Sequence, residues 1–349
     1  MNRAEAAVRN LDWLLRPAQA LLDDPALTDL YINGPGIAFA DRGRGKERLD
    51  LSFTLADLED IAINAASLTG QDIAEDVPLV STKLPGGHRV QIVRPPCVPD
   101  GQFSFSIRRP SAQTATPAEL EGRFGVFRDT VGTARRVPQR QAELLALYRA
   151  GQWRQFLELA VSLGLNVVFA GPVGSGKTFN LRAFTHSIPL GSRIVTIEDM
   201  QEIIAMPHAD VVNLLYSKGG QSAASVKPEH LVEAALRMGM DYLLNQELRD
   251  EAAYAYLNVL ESGHSGMTTT HADDAEQTYD RIRLLIKKHP EGKHLADADV
   301  MAALYRSIDV VAYCVRDGNR RHVEQILYDP SLKERYANNN LLFAAAEAV

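Results

Sequence analysis

One run of eight residues constrains this chain more than any other: Gly171-Pro172-Val173-Gly174-Ser175-Gly176-Lys177-Thr178. It fits G-x-x-x-x-G-K-[ST], in which successive backbone N–H groups converge on phosphate oxygens at the positive end of a helix. In that pattern Lys177 reaches the β- and γ-phosphates and the Thr178 hydroxyl is placed to ligate Mg²⁺. At average residue usage the pattern arises by chance in about one chain of this length in a hundred. The context sharpens it, because an apolar strand, Asn166–Ala170, precedes the loop and a helix to about Ser187 follows. The cofactors expected on these grounds are ATP and Mg²⁺.

The flanking sequence supports an α/β fold around this loop. A helix at Gln155–Leu163 comes first, and strand Arg193–Glu198 follows the P-loop helix. Strand Val211–Tyr216, helix Pro228–Met238, strand Tyr242–Glu247, helix Asp250–Ser262 and strand Gly266–Thr270 continue the series. Short strands alternating with helices predict a predominantly parallel sheet. A hairpin, Val310–Val315 and Val323–Tyr328, is expected around Asp317-Gly318.

The first 110 residues have another rhythm. A helix over Ala4–Leu22, strands Asp29–Asn33 and Ile37–Ala40, and a helix capped by Thr54 and running to Leu68 are expected. Strands Arg89–Arg94 and Gln102–Arg108 follow, the second alternating Phe103, Phe105 and Ile107 with polar neighbours. The division is therefore residues 1–110, a smaller α+β domain; 111–151, a proline-punctuated linker leading into helix Gln139–Ala150; and 152–349, the nucleotide domain.

A phosphoryl-transfer site also needs a carboxylate for the attacking water and one near the metal. Glu198 and Glu247 end two strands, where the ligand crevice of an open α/β sheet lies. Taken singly, either could instead be a helix-start carboxylate favoured by the dipole. His264 and His271 bracket the Thr-rich strand. No cysteine or acid stands at zinc-ligand spacing, so the pair is read as a polar sensor beside the γ-phosphate. Without the other motifs, both would be ordinary strand-end histidines.

Composition limits the alternatives. The chain has 349 residues, 46% hydrophobic and 23% charged, with net charge −7, which disfavours stable nucleic-acid binding. No run of about 18 uncharged apolar residues is present, and the N-terminus lacks the apolar core of a secretory signal. Two cysteines far apart, Cys97 and Cys314, fit a reducing cytoplasm.

Several blocks resemble the type IV secretion traffic ATPases, the eleventh VirB component, within the wider secretion NTPase superfamily. They are PGGHRVQIVRPP (85–96), SIRRPS (106–111), the P-loop, RIVTIEDMQEI (193–203), LLYSKGG (214–220), LRMGMDYLLNQELRD (236–250) and SGHSGMTTTHA (262–272). The resemblance implies a RecA-like P-loop NTPase C-terminal domain with a smaller α+β N-terminal domain, ATP lying between the two. It implies a homohexameric ring, cytoplasmic and peripheral at the inner membrane, that works with other secretion components in pilus biogenesis or substrate translocation. Carried over by motif, Lys177 and Thr178 hold phosphate and Mg²⁺, Glu198 and Glu247 serve catalysis, and His264 and His271 form the histidine box. Arg94 and Arg108 are candidates to reach the nucleotide phosphates from the N-terminal domain.

One departure stands out. Where the family usually has glycine before the second glutamate, this chain has Gln246, and the family's Arg-Pro-Asp-Arg run reads Gly239-Met240-Asp241-Tyr242. A glutamine there would crowd the phosphates or add a hydrogen-bonding arm. A nucleotide-gated assembly hub with weak hydrolysis is therefore one alternative. A type II secretion or pilus-retraction ATPase is another, whereas extension motors with a four-cysteine zinc module are excluded by the cysteine count.

Overall fold

The computed structural model describes residues 3–43, 45–110, 139–204, 206–217, 225–250, 252–331 and 333. The linker reading for 111–138 and the end of the 214–220 block lie outside them.

The N-terminal domain is one antiparallel sheet backed by helices. Its strands are β1 (Asp29–Gly34), β2 (Ile37–Asp41), β3 (Lys46–Leu49), β4 (Leu79–Lys83), β5 (Arg89–Val93) and β6 (Ser104–Arg108), in the order β3-β2-β1-β6-β5-β4. Helices α1 (Arg3–Leu14), α2 (Arg16–Leu22) and α3 (Leu55–Leu68) supply the backing. The single N-terminal helix expected from the spacing is two, because Pro17 at the start of α2 cannot continue the hydrogen-bond ladder of α1. Thr54 caps α3 as expected, in a reciprocal box with Asp57. Strands β3 and β4 escaped the sequence reading; β3 is a charged edge strand with no apolar alternation.

Alternation decides which face of this sheet meets the helices. Leu30, Ile32, Val90, Ile92, Phe105 and Ile107 pack with Leu11, Leu58 and Ile61. Ser104 and Ser106, on the other face, are also buried. That face is covered by the C-terminal domain rather than by water, so the polar half of the alternation is an interface.

The C-terminal domain holds a seven-stranded sheet ordered β13-β12-β7-β11-β10-β8-β9. Its strands are β7 (Val167–Ala170), β8 (Ile194–Glu198), β9 (Val211–Leu215), β10 (Tyr242–Asn245), β11 (Ser265–Thr270), β12 (Val310–Asp317) and β13 (Arg320–Leu327). All neighbours are parallel except the β12–β13 hairpin. Central strands such as β7 are buried on both faces, which is why they read as unbroken apolar runs. Helices α4 (Gln139–Arg149), α5 (Trp153–Ser162) and α6 (Lys177–Phe184) cover one face. Helices α7 (Pro228–Ala235), α8 (Ala252–Glu261), α9 (Gln277–Ile286) and α10 (Asp297–Ser307) cover the other. The last two were absent from the sequence reading, which closed the βα series at β11. The chain thus has a RecA-like P-loop domain and a smaller α+β domain.

Arg193, just before β8, joins the two. Its side chain is fully buried and lies 4.1 Å from the Tyr31 ring centroid. Nε donates to the Met238 carbonyl at 2.8 Å, Nη1 to Asn33 Oδ1 at 3.0 Å, and Nη2 to Ser106 Oγ at 3.3 Å. Nη1 also pairs with Asp210. Asp241 accepts from the Arg193 amide at 2.6 Å and pairs with Lys46 of β3. At the far end of the β9 edge, the Leu215 amide donates to the Cys97 carbonyl at 2.9 Å. Among the described residues, no helix is long and apolar enough to cross a membrane.

Candidate functional site

The carboxyl ends of β7, β8, β10 and β11 lie at one end of the sheet, and the P-loop crosses that end. Gly171 leaves β7 at φ 143°, and a Cβ there would stand 2.1 Å from the Cys314 carbonyl oxygen of β12. Only glycine lets the loop pass so close to the neighbouring strand. Gly176, at φ 92°, turns the chain into α6, whose first amides receive no side-chain cap. Those amides are free to face an anion.

In front of the loop is a cleft of about 580 Å³ lined by Lys177, Thr178, Glu247 and His271, with Val173 and Phe179 at the rim. Lys177 is buried, and its Nζ donates to the carbonyls of Gly171 and Pro172, both at 2.8 Å. Burial pulls its pKa below the ordinary lysine value, while the nearby Glu247 charge works against that fall. His271 Nδ1 lies 3.4 Å from Lys177 Nζ, and His271 Nε2 lies 3.1 Å from Glu247 Oε1. A carboxylate can only accept and an ammonium can only donate, so a neutral His271 in this chain carries its proton on Nε2. Arg249 pairs with the other Glu247 oxygen, and that hydrogen bond raises the guanidinium pKa.

Thus Lys177, His271, Glu247 and Arg249 form a continuous polar chain beside the loop. It places a cation and hydrogen-bond donors for phosphate next to a carboxylate able to orient or deprotonate water. The phosphate fit is good: glycines admit backbone amides, and the helix start is uncapped. For Mg²⁺, Thr178 supplies one hydroxyl with Glu247 across the cleft, a sparse set suited to an ion that keeps waters and takes substrate phosphate. Among the described residues, no group of three or more His, Cys, Asp or Glu could hold a metal by itself.

The other expected residues lie elsewhere. Glu198 is fully buried at the end of β8 and accepts from Thr196 Oγ1 and from the amides of Glu202 and Ile203, all at 2.7 Å. Its contacts organise the turn after β8 and do not face the cleft. His264 precedes β11 and His271 follows it, so a strand length of about 20 Å separates them. His264 instead approaches Ser262 Oγ at 2.9 Å. The two histidines therefore cannot sense one γ-phosphate together. Arg94 pairs with Glu59 at 3.0 Å and stands over the Phe103 ring. Arg108 pairs with Asp29 at 2.9 Å. Neither arginine lines the P-loop cleft of its own chain.

Gln246 supplies an arm rather than an obstruction. Its Oε1 accepts from the Asp199 amide at 3.1 Å, tying the end of β10 to the turn after β8. The cleft is lined by Glu247, not by Gln246.

Six cleft residues were not singled out from sequence: Phe179, Asn180, Arg249, Thr269, Asn319 and Arg321. Arg321 Nε donates to the Gly174 carbonyl at 2.9 Å, so the β12–β13 hairpin braces the loop. The basic run around Asp317-Gly318 was the available signal, and Arg249 stands two residues after Glu247.

Comparison with known proteins places this architecture. The profile of the family described as Type II/IV secretion system protein matches residues 132–317. Protein VirB11 of Rhizobium radiobacter is 39% identical over 304 residues, covering 86% of this chain and 88% of the relative. Type IV secretion system protein VirB11 of Brucella suis biovar 1 is 35% identical over 339 residues, 94% of each chain. The crystal structure of the VirB11 ATPase from the Brucella suis type IV secretion system in complex with sulphate superposes with TM-score 0.89 at 33% identity, covering 96% of this chain and 98% of that one.

Proposed function

This chain belongs to the VirB11 family of type IV secretion systems, and from that premise we propose that it is an ATP-hydrolysing motor. It works as a homohexameric ring, held peripherally at the cytoplasmic side of the inner membrane. There it powers pilus biogenesis or substrate translocation together with other secretion components. The observation that carries the reading is the meeting of Lys177, His271 and Glu247 in the cleft that the P-loop borders. The Brucella suis relative was crystallised with sulphate, a tetrahedral oxyanion like phosphate.

In this proposal the amides of residues 174–178 and the Lys177 ammonium bind the triphosphate. Lys177 exchanges its two carbonyl acceptors for phosphate oxygens, a charge-assisted gain. Thr178 would hold Mg²⁺, which would neutralise charge on the β- and γ-phosphates. Glu247 orients and deprotonates the attacking water. His271, hydrogen-bonded between Glu247 and Lys177, couples the carboxylate to the occupancy of the phosphate site. Glu198 fixes the turn that borders the site. Gln246, turned toward Asp199, leaves the attack path clear, which favours a motor over a hub with vestigial turnover.

Steady-state ATP hydrolysis tests this directly. Glu247→Gln should lower kcat by about 10²–10⁴, the usual worth of a positioned base, while nucleotide affinity stays within a few-fold. Turnover within threefold of the native chain would overturn the assignment of Glu247.

A further inference from the structure

Arg249 lines the P-loop cleft two residues after Glu247, and the backbone beyond β10 puts it there. The Gln246 amide donates to the Ile197 carbonyl of β8 at 3.0 Å, and the Leu248 amide to the Thr269 carbonyl of β11 at 2.7 Å. The chain is thus pinned to both neighbouring strands. Leu248 is buried, and its neighbours Glu247 and Arg249 project the other way, into the cleft. Asp250 then bends the chain away at φ 45°, the one positive φ outside glycine among the described residues. Lys288, just beyond α9, holds that bend by donating to the Asp250 carboxylate at 2.7 Å. A fixed corner therefore projects one long cationic arm, whose side chain is 44% exposed.

Among the described residues, Glu247 is the only polar partner of that arm, and it is also the only acid lining the cleft. Its other oxygen lies 3.1 Å from His271 Nε2, and His271 Nδ1 lies 3.4 Å from Lys177 Nζ. One carboxylate and one imidazole thus separate the guanidinium from the lysine of the phosphate cradle. Burial lowers the Lys177 pKa first, and the Arg249 charge adds to that fall, so its field already reaches the cradle. In this arrangement both Glu247 oxygens are engaged, and a carboxylate held by a cation is a poor acceptor for a proton from water.

We propose that Arg249 is a catalytic residue supplied by the same chain as the P-loop: when ATP binds, its guanidinium passes from Glu247 to the γ-phosphate. The inference rests on the reading of Glu247 as the base. The exchange gives the guanidinium a more heavily charged acceptor and frees a carboxylate oxygen for water. The water oxygen then bonds to the γ-phosphorus while the bond to the β–γ bridging oxygen breaks. That oxygen keeps the electron pair on ADP, the water proton passes to Glu247, and phosphate leaves. Arg249 stabilises the charge on the phosphoryl oxygens during transfer. With ADP there is no γ-phosphate to draw it away, so it stays on Glu247 and keeps the base quenched.

Binding without turnover tests the contact. In the full chain carrying Glu247→Gln no carboxylate is left to repel the γ-phosphate, so an effect of Arg249 there is direct. Adding Arg249→Ala should weaken a slowly hydrolysed ATP analogue at least tenfold with magnesium present. Affinity for ADP should stay within about threefold, which also shows that the fold is intact. Equal losses for the two nucleotides, or no loss for either, would overturn the proposal. In the chain that keeps Glu247, Arg249→Ala should lower kcat by about 10² or more, since an arginine at a transferring phosphoryl group is worth about 10³–10⁵. Arg249→Lys, which keeps the charge without the fork, should recover part of it. If Arg249 only quenched the base, Arg249→Ala would turn over as fast as the native chain or faster, and that result would refute it. Native-like turnover by Glu247→Gln would overturn the base assignment instead and leave the binding comparison standing, so the two readings fail separately.

Discussion

Replacing Arg193 by alanine should uncouple the two domains. The guanidinium has no exposure, and Asp210, its partner, is 6% exposed at its side chain. Once Arg193 is gone, Asp210 retains the Asn33 Nδ2 donor at 2.8 Å, and its Oδ2 already has no partner. Removing one member of a buried pair costs about 3–5 kcal/mol, because the other charge stays desolvated. The hydrogen bond to the Met238 carbonyl and the contact with the Tyr31 ring are lost as well, so the upper half of that range is expected. This is a large share of the roughly 5–15 kcal/mol that holds a domain folded.

The two tryptophans make the assay domain-specific. Trp13 lies in the N-terminal domain and Trp153 in the C-terminal one, so single-tryptophan versions report each unfolding in urea. In the parent chain the two transitions should nearly coincide. With Arg193→Ala they should separate, the N-terminal midpoint falling further. The double replacement Arg193→Met with Asp210→Leu removes both charges and should recover most of the loss. A change under about 1 kcal/mol on Arg193→Ala, or a double variant no better than the single, would refute the reasoning.

Two further outcomes follow from the site. Gly171→Ala places a methyl 2.1 Å from the Cys314 carbonyl at a backbone angle that disfavours side chains, so nucleotide affinity should fall more than tenfold while far-ultraviolet circular dichroism is unchanged. Native-like affinity in equilibrium binding would contradict the close approach. Gln246→Gly removes the hydrogen bond to Asp199 and adds backbone freedom, so stability should drop by about 1–2 kcal/mol with no gain in turnover. A tenfold faster kcat in that variant would mean the glutamine obstructs the phosphates after all.

The sequence carried the parts of this site that depend on local covalent order. A P-loop is contiguous, and its flanking strand is buried on both faces, so residues 166–178 were legible as strand, cradle and helix start. Glu247 was legible because strand ends in a parallel sheet gather at one side. Partners set by tertiary return were not. Arg321 reaches Gly174 only because β12 pairs with β7, a neighbour 143 residues away at Val310 and Val167. His264 was grouped with His271 because seven residues look close in sequence, whereas an extended strand spends them on crossing the sheet. Ser106 read only as a polar neighbour in the alternation of Phe105 and Ile107, yet it meets Arg193 and Met238 at an interface no single strand reveals. The same gap hid the facing of Lys83, Arg89 and Arg108, which exists only once the registers of β4, β5 and β6 are fixed.

The central claim is that backbone amides at residues 171–178, with Lys177, grip a triphosphate. Calorimetry of the native chain and of Lys177→Ala with ADP and a slowly hydrolysed ATP analogue, in the presence of magnesium, tests it most directly. The account predicts saturable heat for both nucleotides with the native chain, and affinity at least tenfold weaker in the variant. Absence of any heat with the native chain at millimolar nucleotide, or equal affinities for the two proteins, would contradict it.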